Sequence, residues 1–267
     1  MRLQGKRLLV VGSSSGLGRE SAIAAVAEGA RVCFAARRKD RIEDAAREAG
    51  GGAFALRCDV RDESSCRAVV AGAVKVMGGL DGLVYTPGIS TFGPIQEIDA
   101  ESWRDVLATN LIGPSLILNA AIEPLETSRG KVVILSSIVI DDSPPRPQQA
   151  SYVISKVALE VLIEAWQGEH RDVGFTSIAS GDSVSEFGLA HDVAKLGPIV
   201  QKWGELGYMY GRLMDASAVA EQVIHALSSR ETIRRIAITP SYALAEANDG
   251  ADSGRAELEQ MRGKAAG

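Results

Sequence analysis

Short apolar runs alternate with longer amphipathic stretches along the 267-residue chain, and this alternation is its dominant signal. Seven runs rich in aliphatic and β-branched residues, at 7–11, 31–35, 53–57, 82–85, 131–136, 173–179 and 235–239, have the length and composition of strands. Several are apolar without interruption, as in Leu8-Leu9-Val10-Val11 and Val132-Val133-Ile134-Leu135. A strand wetted on one face would alternate; an unbroken run needs cover on both, as in a parallel sheet between helices. The stretches between the runs carry helix punctuation. Residues 17–28 end at Gly29, and residues 62–77 open on acidic side chains and stop at Gly78-Gly79. Regular strand and helix alternation implies right-handed crossovers. The pattern therefore predicts a single doubly wound α/β domain of the Rossmann type, with a seven-stranded, mostly parallel sheet.

No internal repeat or linker divides the chain, so residues 1–243 read as one domain. Within it, residues 180–213 mix Gly, Pro, Trp and Tyr and read as an irregular or helical lid over a pocket. Residues 244–267, rich in Ala, Glu, Gly and Asp, read as either a loose tail or a terminal helix packed on a partner subunit.

Composition narrows the classes. Hydrophobic residues are 46% of the chain and aromatics only 5%, so aliphatic side chains do most of the packing. A net charge of -5 argues against the broad basic surface of a nucleic-acid binder. Cys33, Cys58 and Cys66 lack CxxC spacing, and His170, His191 and His225 are scattered, so neither a disulfide framework nor a metal site is expected. The apolar run before Gly12 is too short for a signal peptide, and no segment approaches the roughly 18 apolar residues of a membrane span. A cytoplasmic protein without membrane or nucleic-acid partners is expected.

The chemistry begins at the first turn. Gly12-Ser13-Ser14-Ser15-Gly16-Leu17-Gly18 joins the first strand to the first helix. Glycines there let the backbone approach a pyrophosphate, which the helix N-terminal N–H groups then face. The second strand ends without the Asp or Glu that would accept from a ribose 2′-hydroxyl. Arg37 and Arg38 follow instead, donors suited to a 2′-phosphate, so NADP(H) is favoured over NAD(H), with Arg37 the nearer to the strand end and Ser14 as helper. Tyr152 and Lys156 lie four apart, hence on one helix face, where an ammonium lowers the pKa of a phenol. The strand 131–136 runs into Ser136-Ser137. Asn110 falls inside a predicted helix, where asparagine is unfavourable by propensity.

These motifs, in this order from Lys6 to about Pro240, resemble the short-chain dehydrogenase/reductase family. The resemblance implies hydride transfer between nicotinamide and a carbonyl or alcohol carbon, here of a medium-sized, partly hydrophobic substrate. It gives Tyr152 the proton transfer, Lys156 the field and the nicotinamide ribose, and Ser137 the substrate oxygen, with Ser136 in reserve. It implies that Asn110 kinks its helix and holds a water relaying protons to Lys156. Asp59 and Val60 match the family's adenine-side pair, although Asp59 could instead cap the helix near Asp62, and Gly88 matches a conserved-type glycine after the fourth strand. A homodimer or homotetramer through the helices carrying Asn110 and Tyr152 is also implied.

The chain departs from the family at Val11, where threonine is usual, and at Tyr85-Thr86-Pro87, where asparagines brace the sheet. It departs again at Ser180-Gly181, followed by Asp182, Ser183 and Glu186. The spacing from Ser137 to Tyr152 is wider than usual, and the loop 141–149 with Pro144, Pro145 and Pro147 is expected to absorb it and reshape one pocket wall. These departures point to an unusual substrate or to a cofactor-binding sensor or scaffold with little turnover; an isomerase or dehydratase on the same fold is a further alternative for which the sequence offers no positive feature.

Overall fold

Aliphatic runs that must be covered on both faces can do so only inside a sandwich, and that is how they assemble. The computed structural model describes residues 1–184, 186–187 and 193–241. Among them seven strands form one sheet: β1 (Arg7–Val11), β2 (Arg31–Ala36), β3 (Ala53–Arg57), β4 (Gly82–Tyr85), β5 (Lys131–Ser137), β6 (Gly174–Ser180) and β7 (Arg235–Ile238). Their order is β3-β2-β1-β4-β5-β6-β7 and every pairing is parallel, so the sheet is more uniform than the mostly parallel one expected.

Eight helices flank it: α1 (Gly16–Ala27), α2 (Lys39–Ala49), α3 (Glu63–Met77), α4 (Ala100–Leu107), α5 (Gly113–Ser128), α6 (Ala150–Glu169), α7 (Val193–Glu205) and α8 (Ala216–Ser228), again among the described residues. Successive strand residues face opposite ways, so Leu9 and Val11 pack toward α3, α5 and α6, while Leu8 and Val10 pack toward α1, α2 and α8. The chain winds outward from β1 through β2 to β3 and then restarts at β4 on the other side of β1. At that reversal the loops leaving the strand carboxyl ends diverge and open a crevice.

A π-turn at Ala108–Ile112 joins α4 to α5, making one helix across residues 100–128. Against expectation, this helix is long and apolar enough to cross a membrane by length and composition. Its Ile117, Leu118, Ala121 and Leu125 are buried in the protein's own core, which accounts for the apolar run. Of the segment expected to form a lid, α7 is described, while residues 185 and 188–192 lie outside the described residues, as does the expected tail at 244–267.

Candidate active site

The loop from β1 to α1 supplies one end of the crevice. Gly12 has φ 89°, and a Cβ there would come within 2.3 Å of Thr86 Oγ1, so only glycine lets the turn close. Its N–H donates to Ala35 O of β2 over 2.7 Å. α1 then starts with no acidic residue in its first turn and no side chain capping it. The first N–H groups of a helix have no partner within it and carry the positive end of its dipole, which suits them to a phosphate. Ser14, Ser15, Gly16, Leu17 and Gly18 all line the crevice here.

The sequence points first to Arg37; the structure gives the contacts to Arg38. Arg38 Nη2 donates to Ser14 Oγ at 2.9 Å and to Ser15 Oγ at 2.8 Å, and Nε reaches Ser14 Oγ at 3.3 Å. Arg37 lines the crevice beside it. Asp59 and Val60 line it just past β3. Asp59 is not the helix cap: Asp62 caps α3, accepting from Ser64 N at 2.8 Å and Ser65 N at 3.3 Å.

Tyr85 and Thr86, which stand where asparagines were expected, provide braces of their own. The Tyr85 hydroxyl donates to Thr109 O over 2.7 Å, inside the π-turn, where the wider ring disturbs the ordinary helix ladder. A Cβ at Gly113 would lie 2.5 Å from that hydroxyl, so glycine one turn on admits the phenol. Thr86 Oγ1 donates to Val11 O at 2.9 Å. Asn110 is fully buried in the same π-turn: Oδ1 accepts from Ile89 N, and Nδ2 donates to Ile89 O and Ser155 Oγ, each at 2.9 Å. The unfavourable mid-helix asparagine thus ties the segment after β4 to α6.

α6 carries the candidate phenol and ammonium. Tyr152 and Lys156 are one turn apart, with Lys156 Nζ 5.7 Å from the Tyr152 ring centroid. Burial pushes the Tyr152 phenol up to about 12; hydrogen bonding to Ser137 pulls it down, Asp182 pushes it up and Arg146 pulls it down. Burial pulls the Lys156 ammonium down to about 8, opposed by Glu160. That ammonium donates to Leu135 O over 2.8 Å. Ser137 and Arg146 both pull the phenol down, and the Lys156 ammonium lies one helical turn away. Gly88 lies between Lys156 and Asn110: a Cβ there would be 3.7 Å from Lys156 Nζ and 3.8 Å from Asn110 Oδ1.

Ser137 ends β5 beside Tyr152, and its Oγ accepts from Val139 N at 3.4 Å. The buried Ser136 hydroxyl, one position back, has no hydrogen-bond partner among the described residues. Of the two, Ser137 is the one that pulls the Tyr152 phenol down.

The long loop before α6 forms part of one pocket wall, as its length led one to expect, but through an arginine that the sequence did not single out. Its Arg146 is 2% exposed, and its Nε donates to Asp142 Oδ2 at 2.7 Å, Nη1 to Asp182 Oδ1 at 2.9 Å and Nη2 to Tyr208 O at 3.0 Å. The guanidinium lies 5.6 Å from the Trp203 ring centroid, and the Trp203 indole N–H donates to Pro147 O at 2.8 Å. Burial would lower Arg146, but Asp182 and Asp142 more than offset it, whereas burial raises Asp142 despite Arg146. One cation shared between two carboxylates explains the asymmetry: each acid receives only part of the compensation. Phe187, 5.1 Å from the Tyr152 ring between centroids, and Phe92, 6.0 Å from Trp203, extend this wall. Its one trace in the sequence was an arginine set among prolines in a loop of unusual length.

A family model described as short chain dehydrogenase matches residues 6–186. A short chain dehydrogenase of Pseudocercospora fijiensis is 31% identical over 216 residues, covering 77% of this chain and 69% of that protein. The 2,5-dichloro-2,5-cyclohexadiene-1,4-diol dehydrogenase LinX of Sphingobium indicum is 33% identical over 177 residues, covering 65% of this chain and 70% of that protein. The solved alcohol dehydrogenase of the archaeon Thermococcus sibiricus, complexed with 5-hydroxy-NADP, shares the fold with a TM-score of 0.76 at 22% identity, over 89% of this chain and 97% of that one.

Proposed function

The chain belongs to the short-chain dehydrogenase family, an oxidoreductase family that transfers hydride, and from that premise we propose that it acts with NADP(H) on a carbonyl or alcohol carbon. The observation that carries the reading is the buried Tyr152 phenol, with Ser137 and Lys156 in the same crevice as the phosphate-binding turn. The nicotinamide, when bound, supplies or accepts the hydride. In the reductive direction Tyr152, protonated at neutral pH, hands its proton to the carbonyl oxygen as negative charge develops there. Ser137 donates a second hydrogen bond to that oxygen. Lys156 holds the cofactor's ribose hydroxyls and, with Asn110 across Gly88, returns a proton to Tyr152. Phe92, Phe187, Leu196, Trp203 and Met209 favour a medium-sized substrate with an apolar body.

The donor set fits a phosphorylated cofactor: an uncapped helix N-terminus, two turn hydroxyls and Arg38, with no carboxylate at the end of β2. NADPH is therefore expected to bind at least tenfold more tightly than NADH in calorimetric titration, since a charge-assisted hydrogen bond contributes about 1.5–3 kcal/mol. Arg38→Ala is expected to erase most of that difference. Equal affinities in the unmodified protein would remove the cofactor assignment.

We also propose self-association. Ile154, Val157 and Val161 form an exposed apolar stripe on α6, with exposed Ile112 at the nearby π-turn. A second copy of the chain is the occupant proposed for this face, consistent with helices that also carry Asn110 and Tyr152. Sedimentation is expected to show a dimer or tetramer that Val157→Asp with Val161→Asp dissociates; a monomeric unmodified protein would exclude it.

A further inference from the structure

Arg38, the guanidinium that grips the phosphate turn, already holds an anion supplied by the chain itself. Glu186, 148 positions away in the segment after β6, accepts from Arg38 Nη1 at 2.8 Å through Oε2. Its other oxygen, Oε1, accepts from Arg41 Nη1 at 2.5 Å. Burial would raise the Glu186 carboxyl, but hydrogen bonds from Arg38, Arg41 and Ser15 hold it below the usual carboxylate range, so it is ionised at neutral pH. The three side chains are between 41% and 47% exposed, at the rim rather than in the core.

We propose that Glu186 is a specificity-determining residue: an internal carboxylate that competes with the cofactor's 2′-phosphate for Arg38 and Arg41 and so limits discrimination between NADP(H) and NAD(H). The inference rests on the NADP(H) reading above. A 2′-phosphate carries about 1.5–2 negative charges and three acceptor oxygens, against one charge and two oxygens on Glu186, so the phosphate displaces the carboxylate from the shared guanidinium. The displaced Glu186 stays nearby as a like charge. NADH has no 2′-phosphate and has no reason to disturb the pair. Glu186 therefore weakens NADPH selectively, and by a modest amount, because exposed ion pairs contribute little and are screened by salt.

The test is calorimetric titration of NADPH and NADH into the unmodified protein, Glu186→Gln and Glu186→Asp. Glu186→Gln keeps the shape and removes the charge; it is expected to tighten NADPH by about three- to tenfold, an effect that shrinks at high salt, and to leave NADH unchanged. Glu186→Asp keeps the charge and is expected to restore the unmodified preference in large part. Equal shifts for both cofactors would mark a merely structural residue and overturn the proposal. Weaker NADH binding in Glu186→Gln would also overturn it, because the carboxylate would then be accepting from the 2′-hydroxyl. Arg38→Ala separates the two claims. If it weakens NADPH while Glu186→Gln changes nothing, only the Glu186 inference fails; if it leaves NADPH untouched, the cofactor reading fails first.

Discussion

Tyr152→Phe is expected to lower NADPH oxidation with any accepted carbonyl substrate by about a hundred- to ten-thousandfold, the usual range for a positioned general acid, while NADPH binds as before. The argument is one of proton inventory. Ser137 at the end of β5 and Tyr152 on α6 both line the crevice, and Tyr152 is the one with Lys156 beside it, which under the proposed function restores its proton. Phenylalanine keeps the ring against Phe187 and so preserves packing. The phenol's position near 12 adds a direction: the group is fully protonated at neutral pH, as reduction requires, whereas alcohol oxidation requires the phenolate. Oxidation by the unmodified protein is accordingly expected to gain with rising pH over a range where reduction does not. Turnover retained within tenfold in Tyr152→Phe would remove Tyr152 from the mechanism. An unmodified protein that binds NADPH but oxidises it with no carbonyl in a broad panel would instead be a sensor.

Lys156→Met is expected to abolish turnover and, at the same time, to stabilise the fold below pH 8. Burial holds the ammonium at about 8 in the folded protein against 10.5 when unfolded, a difference on the order of 3 kcal/mol against folding wherever the group is charged in both states. Methionine removes that penalty and forfeits the charge-assisted hydrogen bond to Leu135 O, about 1.5–3 kcal/mol, for a net gain of about 1 kcal/mol at neutral pH. The pH dependence fixes the sign. Between 8 and 10.5 the unfolded chain holds a proton on Lys156 that the folded one has released, so this residue makes stability rise with pH across that window. Cys33 and Tyr152, both raised to about 12, act oppositely above their unfolded values of 9.0 and 10.0. The difference between variant and unmodified protein isolates Lys156, because the other groups cancel. Denaturant unfolding from pH 6 to 10 should show the variant's advantage shrinking above pH 8. A variant less stable than the unmodified protein at pH 7 would show that the ammonium is compensated where the structure indicates desolvation.

The trade between function and stability at Lys156 also shows where sequence reading stops. YxxxK spacing places phenol and ammonium on one helix face, because helical geometry is local. Whether the ammonium or other groups tune the phenol depends on what packs around it. Arg146 and Asp182 enter that balance from a loop and a strand end separated by 36 positions. Nor does nearness in sequence rank cations: Arg37 is closer to the end of β2, yet the turn's serines are held by Arg38, because the direction of each side chain is decided by where α2 begins.

The sequence by itself determined the strands to within a residue, the doubly wound class, the phosphate turn and the identities of Tyr152, Lys156, Ser137 and Asn110 as candidates. The strands, the class, the turn and the pairing of Tyr152 with Lys156 rest on short-range rules, namely hydrophobic period, glycine conformation and side chains one helical turn apart, whereas the roles of Ser137 and Asn110 came from the resemblance to the family. Only the tertiary structure decided that Tyr85 braces the π-turn, that Arg146 lies buried between Asp142 and Asp182, and that Glu186 holds Arg38. Those contacts join residues 24, 36 and 148 positions apart. Their energy depends on burial and on which charges face each other, and neither has a periodicity that a linear pattern can carry.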